Sequence, residues 1–350
     1  MGQFLRCTAV AVLFLLAFNS DLFAADTSED QDSVIDVMGK VVDHDYFELI
    51  GGKKVYLPRI LLVDGEWYFY SNTQAAIESG NFVQGETGIE RADGASVTLD
   101  FSITSHLIYV WLSLIVTLLI TIWAARRYRR GVGAETEPQG AWQNIFEILF
   151  VFIRDDIAKE FIPENKYKKY VAYLFTIFMA IAFMNLFGLL PWAAAATANI
   201  TVTATLALIT FAVTQFSGTK DHWQHVFAFP GVPGWSRIIL TPVEILGLFT
   251  KPFALAIRLF ANMLSGKIMI VIILGLIFIF ADLFGNAVGL SSSIFWVLLT
   301  AALYFLKALI ALIQAYVFTL LTAVFIGMAA EEHHHEHDET SVAQARDVEV

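Results

Sequence analysis

Cysteine is almost missing from this sequence of 350 residues, where Cys7 is the only one. A single thiol excludes a disulfide framework, and Cys7 falls inside a leader-like segment that is expected to be removed. Its neighbours Phe4-Leu5-Arg6 put an arginine where a lipoprotein signal needs small apolar residues. Charged residues are also scarce, at 16%. The net charge of -11 comes largely from acids before residue 100 and after residue 330, outside the apolar runs. The deficit therefore describes solvated ends and excludes an acidic fold as its cause. Internal duplication is lacking too, which counts against a carrier built from repeated halves.

Apolar residues are abundant, at 57% with mean hydropathy +0.63, against about 45–50% in an ordinary soluble domain. Several apolar runs are long enough to cross a bilayer, so the chain is an all-α integral membrane protein with a small β-rich N-terminal part. Residues 1–25 read as a signal peptide, with Arg6 in the basic region, Ala9 to Phe18 as the apolar stretch, and Ala24-Ala25 before Asp26. The other reading is a short first helix, but about ten apolar residues do not span a membrane. Residues 26–100 form a polar outer region, in which Val55 to Val63, the turn Asp64-Gly65, and Glu66 to Tyr70 predict a β-hairpin. Residues 101–330 hold the membrane part and 331–350 an acidic, histidine-bearing tail. His333, His334, His335 and His337 in that tail are read as solvated rather than metal-binding, so no metal or cofactor is expected.

The membrane part has five apolar segments, at 107–125, 170–192, 200–217, about 238–281 and about 293–329. Arg126, Arg127, Arg129 and Arg130 close the first, and Lys166, Lys168 and Lys169 precede the second, which places both of those ends in the cytoplasm. Threading onward leaves the N-terminus and Leu189 to Thr197 outside, Lys220 to His225 inside, Asp282 to Ser293 outside, and the C-terminus inside. Residues 141–160 predict an interfacial helix with Trp142, Ile145, Leu149 and Phe152 on one face and Gln143, Glu147 and Arg154 elsewhere. An amphipathic helix packed on protein is the equal alternative.

The last two segments are too long for upright helices. At ~1.5 Å per residue they would run about 66 Å and about 55 Å, against a hydrocarbon core of ~30 Å. They are expected to be strongly inclined, curved or broken, with bends at Pro242 and Pro252. Such a pair suits a wall that follows another curved surface.

Steps of seven turn an α-helix by only about -20°, so Glu244, Lys251, Arg258 and Ser265 line one stripe, with Asn262 at its edge. Arg258 lies in the middle of its run, too deep to snorkel. An arginine there costs at least ~2.5–3.5 kcal/mol to insert, which marks it as functional with a partner charge nearby. This chain's spans offer no obvious carboxylate, so another subunit is expected to supply it. In the last segment Lys307 and Gln314 are seven apart. An intramembrane glutamine serves either transport or helix–helix contact. Asn185, Asn199, Thr201 and Thr203 either line a wet path or satisfy backbone groups near helix ends.

The run Glu244 … Lys251-Pro252 … Arg258-Leu259-Phe260-Ala261-Asn262-Met263, with Gln314-Ala315-Tyr316-Val317-Phe318, resembles the signature of subunit a of F-type ATP synthases. Met184-Asn185-Leu186 … Leu189-Leu190-Pro191, Thr197-Ala198-Asn199 … Val202-Thr203 and Met328-Ala329-Ala330-Glu331-Glu332-His333 are similar to other parts of that family. The resemblance covers roughly residues 100–333. It implies two offset aqueous half-channels meeting near Arg258, against a ring of c subunits whose carboxyl groups carry the protons. The implied proton path takes in Asn262, Gln314, Lys267, Lys307, Glu244, Lys251, Asn185, Asn199 and Thr203. The implied partners are the c-ring, b-type stalk subunits, the rest of the synthase and membrane lipid, with no nucleic acid. The implied location is a bacterial inner membrane, and the implied role is a non-catalytic channel subunit. Where members of the family often carry Glu or His, this chain has Lys267 and Lys307. They either relay protons or stand aside while water does. Two other functions compete: a secondary transporter of an anionic solute, and an assembly protein.

Overall fold

A computed structural model describes residues 46–49, 53–63, 65–85, 88–91, 99–131, 140–190, 193–228 and 234–331. The expected signal peptide and the histidine-bearing stretch after Glu331 lie outside these residues.

The polar N-terminal region is β-rich. Strands β1 (Tyr46–Leu49) and β2 (Lys53–Tyr56) pair antiparallel, as do β5 (Phe82–Gly85) and β6 (Gly88–Arg91). Strands β3 (Arg59–Val63), β4 (Glu66–Tyr70) and β7 (Leu99–Asp100) form a third sheet in the order β4-β3-β7. The expected hairpin is present at Val63↔Glu66, with Gly65 in its turn at φ 86°, a conformation that suits glycine. Its first strand starts at Arg59 rather than Val55, because Pro58 has no N–H to donate and Val55 pairs in β2 instead. Helix α1 (Thr73–Glu78), capped by the Asn72 side chain on the Ala75 N–H, covers one face and encloses Leu61, Val63, Ala76 and Phe82.

The membrane part has five helices long and apolar enough to span. They are α2 (Ser105–Arg129), α4 (Tyr167–Gly188), α5 (Ile200–Ser217), and the long α7 (Gly234–Phe284) and α8 (Asn286–Ala330). Helix α3 (Ala141–Phe152) lies between the first two and α6 (Lys220–Ala228) precedes α7. Helix α4 is central: 78% of its most apolar window is buried, against 11% for α7. Both faces of α7 are apolar all the same, as expected for a helix that meets lipid or another membrane protein.

Helices α7 and α8 pack along each other and turn at Gly285, φ 88°. Their apolar stretches, Leu240–Phe284 and Ala287–Ala330, each cover about 66 Å at ~1.5 Å per residue. Both run as continuous helices, even through Pro242 and Pro252. Straight helices of that length fit a ~30 Å hydrocarbon core only at about 60° of tilt.

Side-chain and backbone bonds tie the two ends of the bundle. At one end the Thr219 N–H donates to Ala329 O at 3.0 Å and Lys166 Nζ donates to Ala330 O at 3.0 Å. Gly327 of α8 passes so close to the Phe161 carbonyl that a Cβ there would overlap it. At the other end Asn185 Nδ2 donates to Ala311 O at 3.1 Å and receives a bond from Thr197 Oγ1 at 2.8 Å on its carbonyl. The helices therefore alternate in direction, with the sheet at the Asn185 end and Ala330 at the other.

The predicted interfacial helix differs from expectation. It is α-helical to Phe152, π-helical over Ile153–Ala158, and ends in a short turn at Lys159–Phe161. The wider π turn puts Ile153, Ile157 and Ala158 together in the core and leaves Arg154 and Asp155 outside. Arg154 and Lys159 hydrogen-bond Asp155 and hold its carboxyl well below the usual carboxylate range. The helix is apolar on two sides. Phe146 and Phe150 meet Phe175 edge-on, while Trp142, Ile145 and Ile148 face outward. Gln143, placed by the sequence off the face of Trp142, Ile145, Leu149 and Phe152, is fully buried.

Candidate functional site

Arg258 is exposed on the outward side of α7, with Ile257 and Ala261 as exposed neighbours. Leu255 and Leu259 hold the opposite side of the helix in the core. Among the described residues no carboxylate forms an ion pair with Arg258. The guanidinium thus projects from an apolar wall, at a depth where lipid alone would be a poor solvent for it.

Two cavities flank this position. The larger, about 360 Å³, opens at the Ala330 end between α5, α6, α7 and the end of α8. Its polar lining includes Thr210, Thr214, Gln215, Glu244, Lys251 and Glu331. Pro252 also lines it and has no N–H for the carbonyl of Leu248, four residues earlier on the same wall. A carbonyl freed inside a membrane needs another donor, and a wet cavity supplies one. Lys251 Nζ sits 5.7 Å from the centre of the Phe325 ring.

The smaller cavity, about 50 Å³, lies toward the Asn185 end between the end of α4, α7 and α8. Asn262, Lys267, Tyr304 and Lys307 line it. Lys267 donates to the Ala193 carbonyl. The Lys307 stem lies across Gly266, where an added Cβ would meet it at 3.2 Å. Glycine at 266 is what lets the two helices trap that side chain between them. Both lysines border this one cavity, with the Lys307 stem against α7 at Gly266.

Along α7 the order is Lys251 and Leu255 on one cavity, Arg258 on neither, and Asn262 on the other. Eleven residues separate Lys251 from Asn262, about 16 Å at ~1.5 Å per residue. Arg258 therefore stands at the gap between two cavities, one lined by residues near the Ala330 end and the other by residues at the end of α4.

The sequence pattern of the family described as ATP synthase A chain matches residues 107–327. The chain belongs to that family. It is 41% identical over 259 residues to ATP synthase subunit a of Myxococcus xanthus, covering 71% of this chain and 81% of the relative. It is 42% identical over 239 residues to ATP synthase subunit a of Chloroherpeton thalassium, covering 67% and 69%. It is also 44% identical over 244 residues to ATP synthase subunit a 2 of Chlorobaculum tepidum, covering 68% and 66%. With five apolar helices long enough to span, this member of the ATP synthase A chain family is a multi-pass membrane protein.

The remaining expected site residues of this A-chain member are placed as follows. Gln314 is buried on α8, and its Nε2 has no hydrogen-bond partner among the described residues. An unpaired buried donor is costly and calls for a water or a polar partner. Asn185 is fully buried, holding α8 and the 3₁₀ turn at Ala196–Ala198. Asn199 caps α5 through the Thr201 N–H, and Thr203 Oγ1 donates to Ile200 O. These three side chains spend their visible bonds on helix ends and contacts, and they line neither cavity. Thr210, Thr214, Gln215 and Tyr304 were not singled out from the sequence, and Glu331 was quoted only within the family-like ending. The spacing Thr203, Thr210, Thr214, Ser217 marks a polar stripe on α5 that would have pointed to the larger cavity.

Proposed function

We propose that this chain is the proton-conducting stator of an F-type ATP synthase, with its two cavities forming offset half-channels and Arg258 separating them. The observation that carries this reading is the place of Arg258, on an exposed apolar face between one cavity lined near the Ala330 end and another lined near the end of α4.

The chemistry follows from what each group can do. A guanidinium stays protonated at any physiological pH, so Arg258 cannot pass a proton from one cavity to the other. It favours the ionised form of a carboxyl brought near it. A carboxyl on a neighbouring c subunit would then load a proton from one cavity, move away through the apolar wall while neutral, and return to discharge into the other. Arg258 faces outward, where such a group would pass. Direct leakage is blocked, and each proton crossing releases ~2.3 kcal/mol per 100 mV into ring movement. The cavity at the Ala330 end is the cytoplasmic half-channel, and the one lined by Lys267 and Lys307 faces the periplasm, following the basic residues of α2 and α4. Asn262 and Gln314 place polar groups on the two long helices near the arginine. Glu244 and Lys251 line the inner path. Asn185, Asn199 and Thr203 act through the shape of the outer end.

A transporter of an anionic solute would need Arg258 inside a pocket, and it lines neither one. Gentle solubilisation of the native membrane tests the reading. The chain is expected to co-purify with a ring of small c subunits, b-type stalk subunits and the ATPase head. Isolation as a free carrier would contradict it.

A further inference from the structure

The outer sheet has two apolar faces, and among the described residues only one is covered. Leu61 and Val63 point to the core under α1, together with Tyr68, Tyr70 and Phe82. The residues between them alternate to the other side. There the register pairs Leu62 with Trp67 and Ile60 with Phe69. Phe101 joins them, since its N–H donates to Ile60 O at 2.9 Å and its ring centre lies 5.5 Å from that of Trp67. Trp67 and Phe69 also stack on each other at 6.3 Å. Among the described side chains, Ile60, Leu62, Trp67, Phe69 and Phe101 lie on this face with no charged residue, and Phe69 is 69% and Trp67 54% exposed.

A water-facing sheet surface ordinarily carries polar residues at alternate positions. An uncovered aromatic face marks a place where something binds. Its position identifies the occupant. Phe101 is four residues from Ser105, where the first spanning helix begins, so at ~3.3 Å per residue the face starts within about 13 Å of that helix. The connection has no slack. Ile103 N–H donates to Pro58 O at 3.4 Å, and Ser102 Oγ accepts from the Ile60 N–H at 3.1 Å. The sheet is thereby pinned to the point where the chain meets the bilayer.

We propose that the Trp67–Phe69–Phe101 face rests on the outer lipid surface, as an aromatic seat that anchors the N-terminal module to the membrane. Tryptophan and phenylalanine suit that layer, because their rings bury apolar area at headgroup depth while the indole N–H keeps a polar partner. The seat would fix the angle at which α2 enters the membrane, so the outer module becomes a positioning element for the bundle. It requires only that residue 101 is at the membrane surface, and so stands apart from the half-channel reading.

The test places the photoreactive residue p-benzoylphenylalanine at position 69 of the full chain, in the assembled complex in its own membrane. Illumination is expected to yield phospholipid adducts on this chain. The same probe at Gln74, exposed on α1 over the covered face, is expected to yield none. An adduct of position 69 with another polypeptide would overturn the proposal in favour of a protein partner. An absence of lipid adducts at position 69 would overturn it in favour of a water-facing sheet.

Discussion

Arg258→Ala is expected to abolish ATP-driven proton pumping while leaving the complex assembled. Assembly survives because the side chain is exposed and has no ion-pair partner among the described residues, so its removal opens no hole in the core and orphans no internal charge. Leu255, Leu259 and Met263 keep the buried side of α7 in place. Pumping fails for two separate reasons. A neutral residue no longer favours the ionised ring carboxyl, so the proton is not released at the right place. Nor does it keep the two cavities electrically apart, so protons leak from one to the other. Fluorescence quenching in inverted vesicles measures the first effect, and passive proton leak through the membrane sector measures the second. Arg258→Lys is not an equivalent replacement, because an ammonium in a low-dielectric site can give up its proton and a guanidinium does not. Wild-type pumping by the alanine variant would remove the role assigned to this residue.

Lys267→Met and Lys307→Met are expected to slow proton uptake through the outer cavity and to change its pH profile. The two side chains line one space of about 50 Å³. Two amines on one small cavity inside the membrane part are placed to take part in proton uptake along it. Positioned groups that move protons typically contribute on the order of 10²-fold, so the double variant should lose about that much outer-side conduction, each single variant less. Methionine keeps the length of the stem, so the packing of residue 307 over Gly266 survives. Proton flux measured across a pH series distinguishes a relay from a packing role. Unchanged profiles in both single variants and the double variant would make the lysines bystanders.

Much of the membrane part could be read from the residues. Span lengths above 18 apolar residues leave few alternatives, and α5 occupies its expected interval, 200–217. Arg258 was legible because an arginine 20 residues inside an apolar run of 238–281 has no structural excuse. The cavities were not legible, because they arise where three or four helices meet. Thr210 and Glu331 lie 121 positions apart and line the same space. Gln143, off the apolar face of α3 in the sequence, is fully buried, so the pattern alone did not tell which side of this helix packs on protein. The roles of Asn185 and Asn199 stayed open in sequence because an asparagine near a helix end serves a cap and a wet path equally well. Only the hydrogen bond that the Thr201 N–H donates to Asn199 Oδ1 shows which backbone group it serves. The exposed face at Trp67 was hidden for the opposite reason. The aromatic run Trp67 to Tyr70 announces a strand, but it does not say which of two apolar faces will be covered.

The most direct measurement is the sided access of silver ion to two introduced thiols, Thr214→Cys in the larger cavity and Ile270→Cys in the smaller one. Both positions are buried, so a small hydrated cation reaches them only along water. Half-channels predict that silver blocks proton conduction through Thr214→Cys only when added at the Glu331 side. They predict block of Ile270→Cys only from the side of the β-sheet, with the unsubstituted complex unaffected. Block of both variants from the same side, or of neither from any side, would contradict two offset paths meeting at Arg258.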